Sequence, residues 1–388
     1  MYDILIIGGG LSGLINARLL ALNGLSVAVI EKNNYPFHRV CGEYISNEVK
    51  PFLESIDCFP HALQPASIDK LTVTAPSGFS LQARLNMGAF GISRYAFDDF
   101  LKTKAIEAGA TVIEGEQINE VQKTKEGFMC KSLTQKFYSG KLVIGAQGKR
   151  SMIDKYLNRS FVQQRSPYIG VKYHIRTEHP HDLIALHNFQ DGYCGISKVE
   201  NNTYCLCYLT TRENLRKHGT IAKMEEAVLY KNPFLKKLFT TSEFLYTTPE
   251  VINEISFSPK SLSDHQVVFC GDSAGMIAPL CGNGMAMAIH SAKLLSESII
   301  QHKDTFDENK ILKMYQMKWN AHFKHRLRIG RTVQKLFGRN STTEISLRLL
   351  SYFPFLLSWI ISKTHGEIVV SYQGTFHSSH TRPGSSDH

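Results

Sequence analysis

The chain has 388 residues, beyond the length at which one hydrophobic core usually stops growing, so the sequence predicts two intimately connected domains. Its 44 Lys and Arg against 34 Asp and Glu give a net charge of +10, which suits a negatively charged ligand or an anionic surface. Eight cysteines make no CxxC pair and no metal-ligand spacing with histidine, so reduced thiols and no metal site are expected. A strand starting at Tyr2 leaves no cleavable leader, which points to reduced thiols in the cytoplasm.

In chain order, an apolar strand from Tyr2 to Ile7 runs into Gly8-Gly9-Gly10-Leu11-Ser12-Gly13 and a helix. Ser26 to Ile30 reads as a second parallel strand, with Glu31 at its carboxyl end, 18 residues beyond Gly13. Gly8 permits the tight turn, Gly10 lets backbone approach a pyrophosphate, and Gly13 lets helix and strand pack closely. Glu31 is placed to accept ribose hydroxyls.

Leu71 to Ala75 and Phe79 to Arg84 flank Pro76-Ser77-Gly78 as a hairpin that interrupts this first unit. A helix from Tyr95 to Ala108 follows, then a short strand at Thr111 to Ile113, a polar hairpin around Gly127 and a buried strand from Lys141 to Gly145. From about 162 to 256 the pattern alternates as antiparallel strands do, around one helix from Ile221 to Tyr230. Val267 to Phe269 is again an apolar strand ending in glycine and acid, Cys270-Gly271-Asp272-Ser273, and Pro279 and Gly282-Asn283-Gly284-Met285 lead into a helix. Asp272 can accept from a polyol chain, and amides near Gly284 can face an electron-rich ring edge.

Over about residues 1 to 300 these segments resemble the flavoprotein superfamily that includes hydroxybenzoate-type aromatic hydroxylases and the geranylgeranyl reductases. The resemblance rests on GGGLSG with Glu31, on Arg39-Val40-Cys41-Gly42-Glu43, on Arg94 in Ile92-Ser93-Arg94-Tyr95, and on Gly271-Asp272-Ser273-Ala274 followed by Pro279 and Gly284. It implies an α/β fold: a Rossmann-like FAD-binding domain with an inserted antiparallel-sheet substrate domain and C-terminal helices. The FAD-binding parts would be 1–70, 87–161 and 258–305, and the substrate parts 71–86 and 162–257. A helical region would follow at 306–372, then a disordered tail at 373–388.

By the same resemblance, Gly8, Gly10, Leu11, Ser12 and Gly13 hold the FAD pyrophosphate. Glu31 holds the adenosine ribose with Lys32 beside it, and Asp272 and Gly271 hold the ribityl chain. Pro279, Gly282, Asn283, Gly284 and Met285 meet the ring, Arg39 and Arg94 border the cofactor, and Cys41 lies beside the isoalloxazine. NAD(P)H is the expected reductant. The sequence departs from the superfamily at Gly145-Ala146-Gln147-Gly148, where the usual third residue is Asp, and after Tyr193, where Cys194-Gly195-Ile196 replaces the Trp, Phe and Pro of isoprenoid reductases. The Trp-x-Trp-x-Ile-Pro motif of flavin-dependent halogenases is absent, since Trp319 and Trp359 are the only tryptophans.

Cys41 and Tyr193 are therefore the candidate catalytic residues, against plainer roles as a packed thiol beside the cofactor and a core aromatic. Cys205 and Cys207 share one strand face and read as core. The expected reaction is hydroxylation of a hydrophobic aromatic or polyketide-like substrate. The alternatives are reduction of C=C bonds in an isoprenoid or other lipid, and a non-catalytic flavin- or lipid-binding module. Basic residues from Lys324 to Arg339 and the apolar stretch from Leu347 to Ile361 form either a lid or a peripheral membrane contact, and no nucleic-acid module is recognisable.

Overall fold

The computed structural model describes residues 1–163, 166–253, 255–336 and 340–372, so the tail expected to be disordered lies outside the described residues. Tyr2–Ile7 and Val27–Ile30 are apolar runs buried on both faces, as strands of a covered parallel sheet must be. They pair in register Ile4 with Val27 to Ile7 with Ile30, and Tyr2–Ile7 pairs on its other side with Phe137–Gly145. Thr111–Ile113 closes one edge and Val267–Phe269 extends the other, all parallel, with Ser263–Asp264 antiparallel at the rim. Ile118–Lys123 and Phe128–Ser132 form a meander onto Phe137–Gly145. Helix Leu11–Leu22 is apolar nearly all round because it is sandwiched between this sheet and the helices Arg94–Glu107 and Gly284–Ile300.

Among the described residues the second sheet has nine strands. Tyr168–Arg176, Tyr204–Thr211, Gly192–Lys198 and Leu183–Phe189 are antiparallel neighbours in that order. The hairpin Ala66–Thr74 and Ser80–Gly91 then joins them. Its first strand begins at Ala66, ahead of the alternating pattern at Leu71, and it runs parallel to Leu183–Phe189. The sheet is thus mixed where the sequence predicts a purely antiparallel one. These two strands come from separate insertions, so no tight turn dictates their direction. A further strand, Tyr44–Ser46, pairs with Ala89–Gly91; three residues are too few to display a period of two.

Alternation divides this sheet into two faces. Cys194, Ile196, Leu206 and Tyr208 pack with Met224, Val228 and Leu235 under a layer of helices, while Tyr193 and Leu209 pack with Ile255, Met276 and Leu280 towards the parallel-sheet domain. The C-terminal region is helical at Glu308–Leu336, Asn340–Tyr352 and Pro354–Thr364. Among the described residues no single helix is long and apolar enough to cross a membrane. Thr342–Tyr352 and Phe355–Thr364 meet that test only together and are bent by 113°.

Candidate cofactor and substrate cavity

A cavity of about 750 Å³ runs from the first glycine turn to the underside of the second sheet, within the range of small-molecule sites. At one end Gly8, Gly10, Leu11, Ser12, Glu31, Lys32 and Arg39 border it. Gly8 has φ +104°, and a Cβ there would stand 2.6 Å from the Ala146 carbonyl oxygen. At Gly13, which does not line the cavity, a Cβ would meet the Gly8 carbonyl oxygen at 2.0 Å; this glycine lets helix and strand touch. Gly10 differs: its nearest neighbour would be Arg94 Nη2 at 3.5 Å, so its Cα faces open space. Helix Leu11–Leu22 starts at Gly10 with no side-chain cap and no acid in its first turn, which leaves its amino-terminal N–H groups and positive dipole end to whatever the cavity holds.

Glu31 is buried at the cavity wall. Its Oε2 accepts from the Gly9 amide at 2.8 Å and from Arg39 Nη2 at 3.2 Å, and its Oε1 accepts from the Asn33 amide at 3.1 Å. Arg39 also donates to Asp98 at 2.9 Å, and Arg94 donates to both oxygens of Asp98 at 2.7 Å. The two arginines thus share one buried carboxylate beside the glycine turn. Lys32 stands exposed at the rim.

The later motif meets the same cavity. Gly271, at φ +64°, leaves room for Ser12 Oγ, which would lie 2.5 Å from a Cβ there, and Asp272 lines the cavity. Ser273 Oγ accepts from the Gly148 amide at 2.8 Å and donates to the Gly148 carbonyl at 3.1 Å, locking the two turns together. Gly282, Gly284 and Met285 line the cavity where helix Gly284–Ile300 begins, again with no side-chain cap and no acid in its first turn. Asn283 does not line it. Its Nδ2 donates to Glu48 Oε2 at 3.0 Å and to the Thr364 carbonyl at 3.3 Å, so this side chain fastens the C-terminal segment. Consecutive residues point in different directions at a helix start, and only the fold reveals which faces inward. The Pro279 side chain lies outside the described residues; its backbone belongs to the short turn Pro279–Cys281.

The far end of the cavity is mostly apolar, with Ile184, Leu186, Leu209, Ile252, Ile255 and Met276. Tyr193 and Cys207 also line it, and Cys41 comes from the loop between the two ends. Burial pushes the Tyr193 phenol well above its ordinary pKa and the Cys207 thiol up to about 12, so both keep their protons. Cys207 is therefore not simply core. Cys205 on the same face donates from its thiol to the Cys41 carbonyl at 3.2 Å, so both thiols sit where the second sheet meets the loop of Cys41.

Sequence reasoning assigns no role to Glu43, Lys172, His174 and His38. Glu43 is fully buried and accepts from Lys172 Nζ, from His174 Nε2 at 2.6 Å and from the Arg94 amide at 2.7 Å. Burial raises its pKa, but Lys172 and His174 outweigh that and hold it at about 2. Glu43, His174 and Cys205 bring ligand-type atoms within 4.8 Å of one another, yet the Lys172 ammonium already supplies the positive charge at Glu43. His38 lines the cavity, stacks on Tyr95 and meets His174 edge-on; burial draws its pKa down to about 4, and its Nδ1 has no hydrogen-bond partner. An alternating strand carrying a Lys and a His inward is the available signal.

Gln147, at the departure from the Gly-Ala-Asp-Gly pattern, donates to Asp154 Oδ1 at 3.0 Å. Asp154 caps the helix Met152–Tyr156 and pairs with buried Arg159 at 2.8 Å. Arg159 in turn donates to the Ser273 carbonyl at 3.0 Å and lies 3.5 Å over the Phe269 ring. An amide at 147 therefore supplies a donor where a second carboxylate would meet repulsion.

Residues 1–328 match the family described as FAD binding domain. The chain belongs to this family. It is an FAD-dependent oxidoreductase. An uncharacterised protein of Methanosarcina barkeri is 26% identical over 91% of this chain and 88% of its own length. A digeranylgeranylglycerophospholipid reductase of Methanococcus vannielii is 24% identical over 83% of each chain. The solved flavin-dependent brominase Bmp2 superposes with a TM-score of 0.74 at 18% identity, over 94% of this chain and 93% of its own, a likeness of fold. The cavity fits the family's cofactor on this chain's own terms: two uncapped helix starts and an open Gly10 border one continuous space that also holds Glu31 and Asp272.

Proposed function

We propose that the flavoprotein reduces a carbon–carbon double bond of a hydrophobic, lipid-like molecule lodged under the second sheet. Gly8, Gly10, Leu11, Ser12 and Gly13 would form the FAD phosphate turn, with Glu31 and Lys32 at its adenosine ribose and Asp272 at its ribityl chain. Gly282, Gly284 and Met285 would meet its ring, and Arg39 and Arg94 would hold Asp98 beside the phosphates. Bound and reduced, FAD supplies the hydride. The protein's part is to orient the substrate, exclude water and supply a proton. Tyr193 Oη, protonated at the cavity wall, is the candidate donor to the substrate, and Cys41 the residue that sets the packing of the ring against it. NAD(P)H is the proposed source of electrons, and the substrate a small hydrophobic molecule rather than a nucleic acid.

The observation that carries this reading is the apolar wing of Ile184, Leu186, Leu209, Ile252 and Ile255. The lipid reductase that is similar over most of the chain supports it. On this support we rank reduction ahead of the hydroxylation that the sequence favours. Hydroxylation stays as the second reading because of His38, a neutral imidazole at the cavity wall that could hydrogen-bond a phenol hydroxyl. Halogenation is not proposed, since the sequence lacks the Trp-x-Trp-x-Ile-Pro motif.

The test is a turnover assay under nitrogen with dithionite-reduced enzyme and an isoprenoid-chain lipid. Reduction predicts a product two hydrogens heavier and reoxidised flavin without oxygen. Product that forms only in air and carries an added oxygen overturns reduction in favour of hydroxylation. Bleaching of the flavin absorbance by NADH or NADPH under nitrogen tests the electron source.

A further inference from the structure

The C-terminal helix pair carries apolar side chains on two faces at once. Leu347 and Ile361 pack inward on a cluster with Tyr44, Ile68 and Ile184, and Tyr44 and Ile184 also line the cavity. On the other side Ile345, Leu349 and Tyr352 follow one another at spacings of four and three, and Phe355 and Trp359 at four, so each set forms one helical stripe. All five are exposed, Tyr352 by 79% and Trp359 by 52%. Tyr and Trp with aliphatic neighbours are the side chains that settle at the boundary of headgroups and acyl chains.

Charge identifies the occupant. From residue 309 to residue 366 the chain holds eleven Lys and Arg against a single acid, Glu344, which is already engaged by Arg348 and Ser77. Lys324, Arg328, Arg348 and Lys363 are exposed. Residues 373–388 contain one large apolar side chain, Phe376. The 113° bend at Phe353-Pro354 sets the two helices at an angle unsuited to a single straight span.

We propose that this helix pair docks the protein on the surface of an anionic lipid bilayer, its stripe inserted shallowly and its basic residues over the headgroups. The inner side of the same helices would then bring the cavity wall at Tyr44 and Ile184 close to the membrane. Docking is independent of the reaction proposed above and is read without turnover.

The experiment measures co-sedimentation of the full-length holoprotein with phosphatidylcholine vesicles, with and without phosphatidylglycerol. Trp359 fluorescence is followed in parallel, since Trp319 is only 5% exposed and should not respond. Binding is expected only to the phosphatidylglycerol vesicles and to weaken with salt, with a blue-shifted emission quenched by brominated lipid. Leu349→Ser/Phe355→Ser should weaken partitioning by at least about tenfold while the protein stays yellow and keeps its circular dichroism. Sedimentation with neither vesicle overturns the proposal, as does binding unchanged in the double variant. A concentration-dependent dimer that the double variant abolishes would assign the stripe to a second copy and overturn it equally.

Discussion

The carboxylate of Glu43 and the ammonium of Lys172 meet with both side chains fully buried, tying the loop that carries Cys41 to strand Tyr168–Arg176 of the second sheet. The pair fixes the wall between the two ends of the cavity. Glu43→Gln should cost about 3–5 kcal/mol because it strands a buried charge, and Glu43→Gln/Lys172→Met should recover much of that loss. Thermal melts of the two variants check this, and additive losses would refute the coupling.

Gly10 and Gly13 should fail in different ways. Gly13→Ala pushes a Cβ into the Gly8 carbonyl and should destabilise the fold by roughly 1–3 kcal/mol. Gly10→Ala has room in the fold, since only Arg94 Nη2 stands near the added Cβ, yet intrudes on the space offered to phosphate; its melt should hold while flavin affinity falls by about tenfold or more. Asp272→Ala should likewise weaken flavin retention by about tenfold, measured by absorbance after dialysis.

Tyr193→Phe should retain flavin and lose about a hundredfold in turnover if its hydroxyl moves the proton. Cys41→Ser should also keep the flavin spectrum while changing turnover. Normal turnover in Tyr193→Phe would return that residue to a packing role.

Gln147→Glu sets a carboxylate against Asp154 in place of the amide donor and should destabilise the protein by roughly 1–3 kcal/mol. An unchanged melting temperature would show that the Arg159 pair alone sustains the turn.

Stability should fall on acidification in two stages. His187 and His290 are held neutral by burial, each down to about 3, whereas the unfolded chain takes up their protons below about 6.5. Stability they contribute is complete above that value and is lost as pH drops towards 3. Glu43 adds a second loss: its contribution is full above about 4.5 and disappears as pH falls through about 2. Denaturant melts between pH 8 and pH 3 should show the first decline beginning near 6.5, and His187→Gln should flatten it.

Local geometry makes the cofactor motif legible in the sequence. A tight turn, a close helix and an acid at the next strand end are demands that neighbouring residues meet together, so Gly8, Gly13 and Glu31 announce themselves by spacing. The strands around Tyr193 are legible as short runs between turn residues, although both faces of their sheet are covered and burial along Gly192–Lys198 barely alternates. Tertiary structure alone decides what those elements face. It turns Asn283 away from the cavity, brings Cys207 to its wall, and joins Glu43 to Lys172 across 129 positions of chain. Such pairings leave no periodic trace, since each is set by where a sheet packs and by the need to neutralise a charge removed from water.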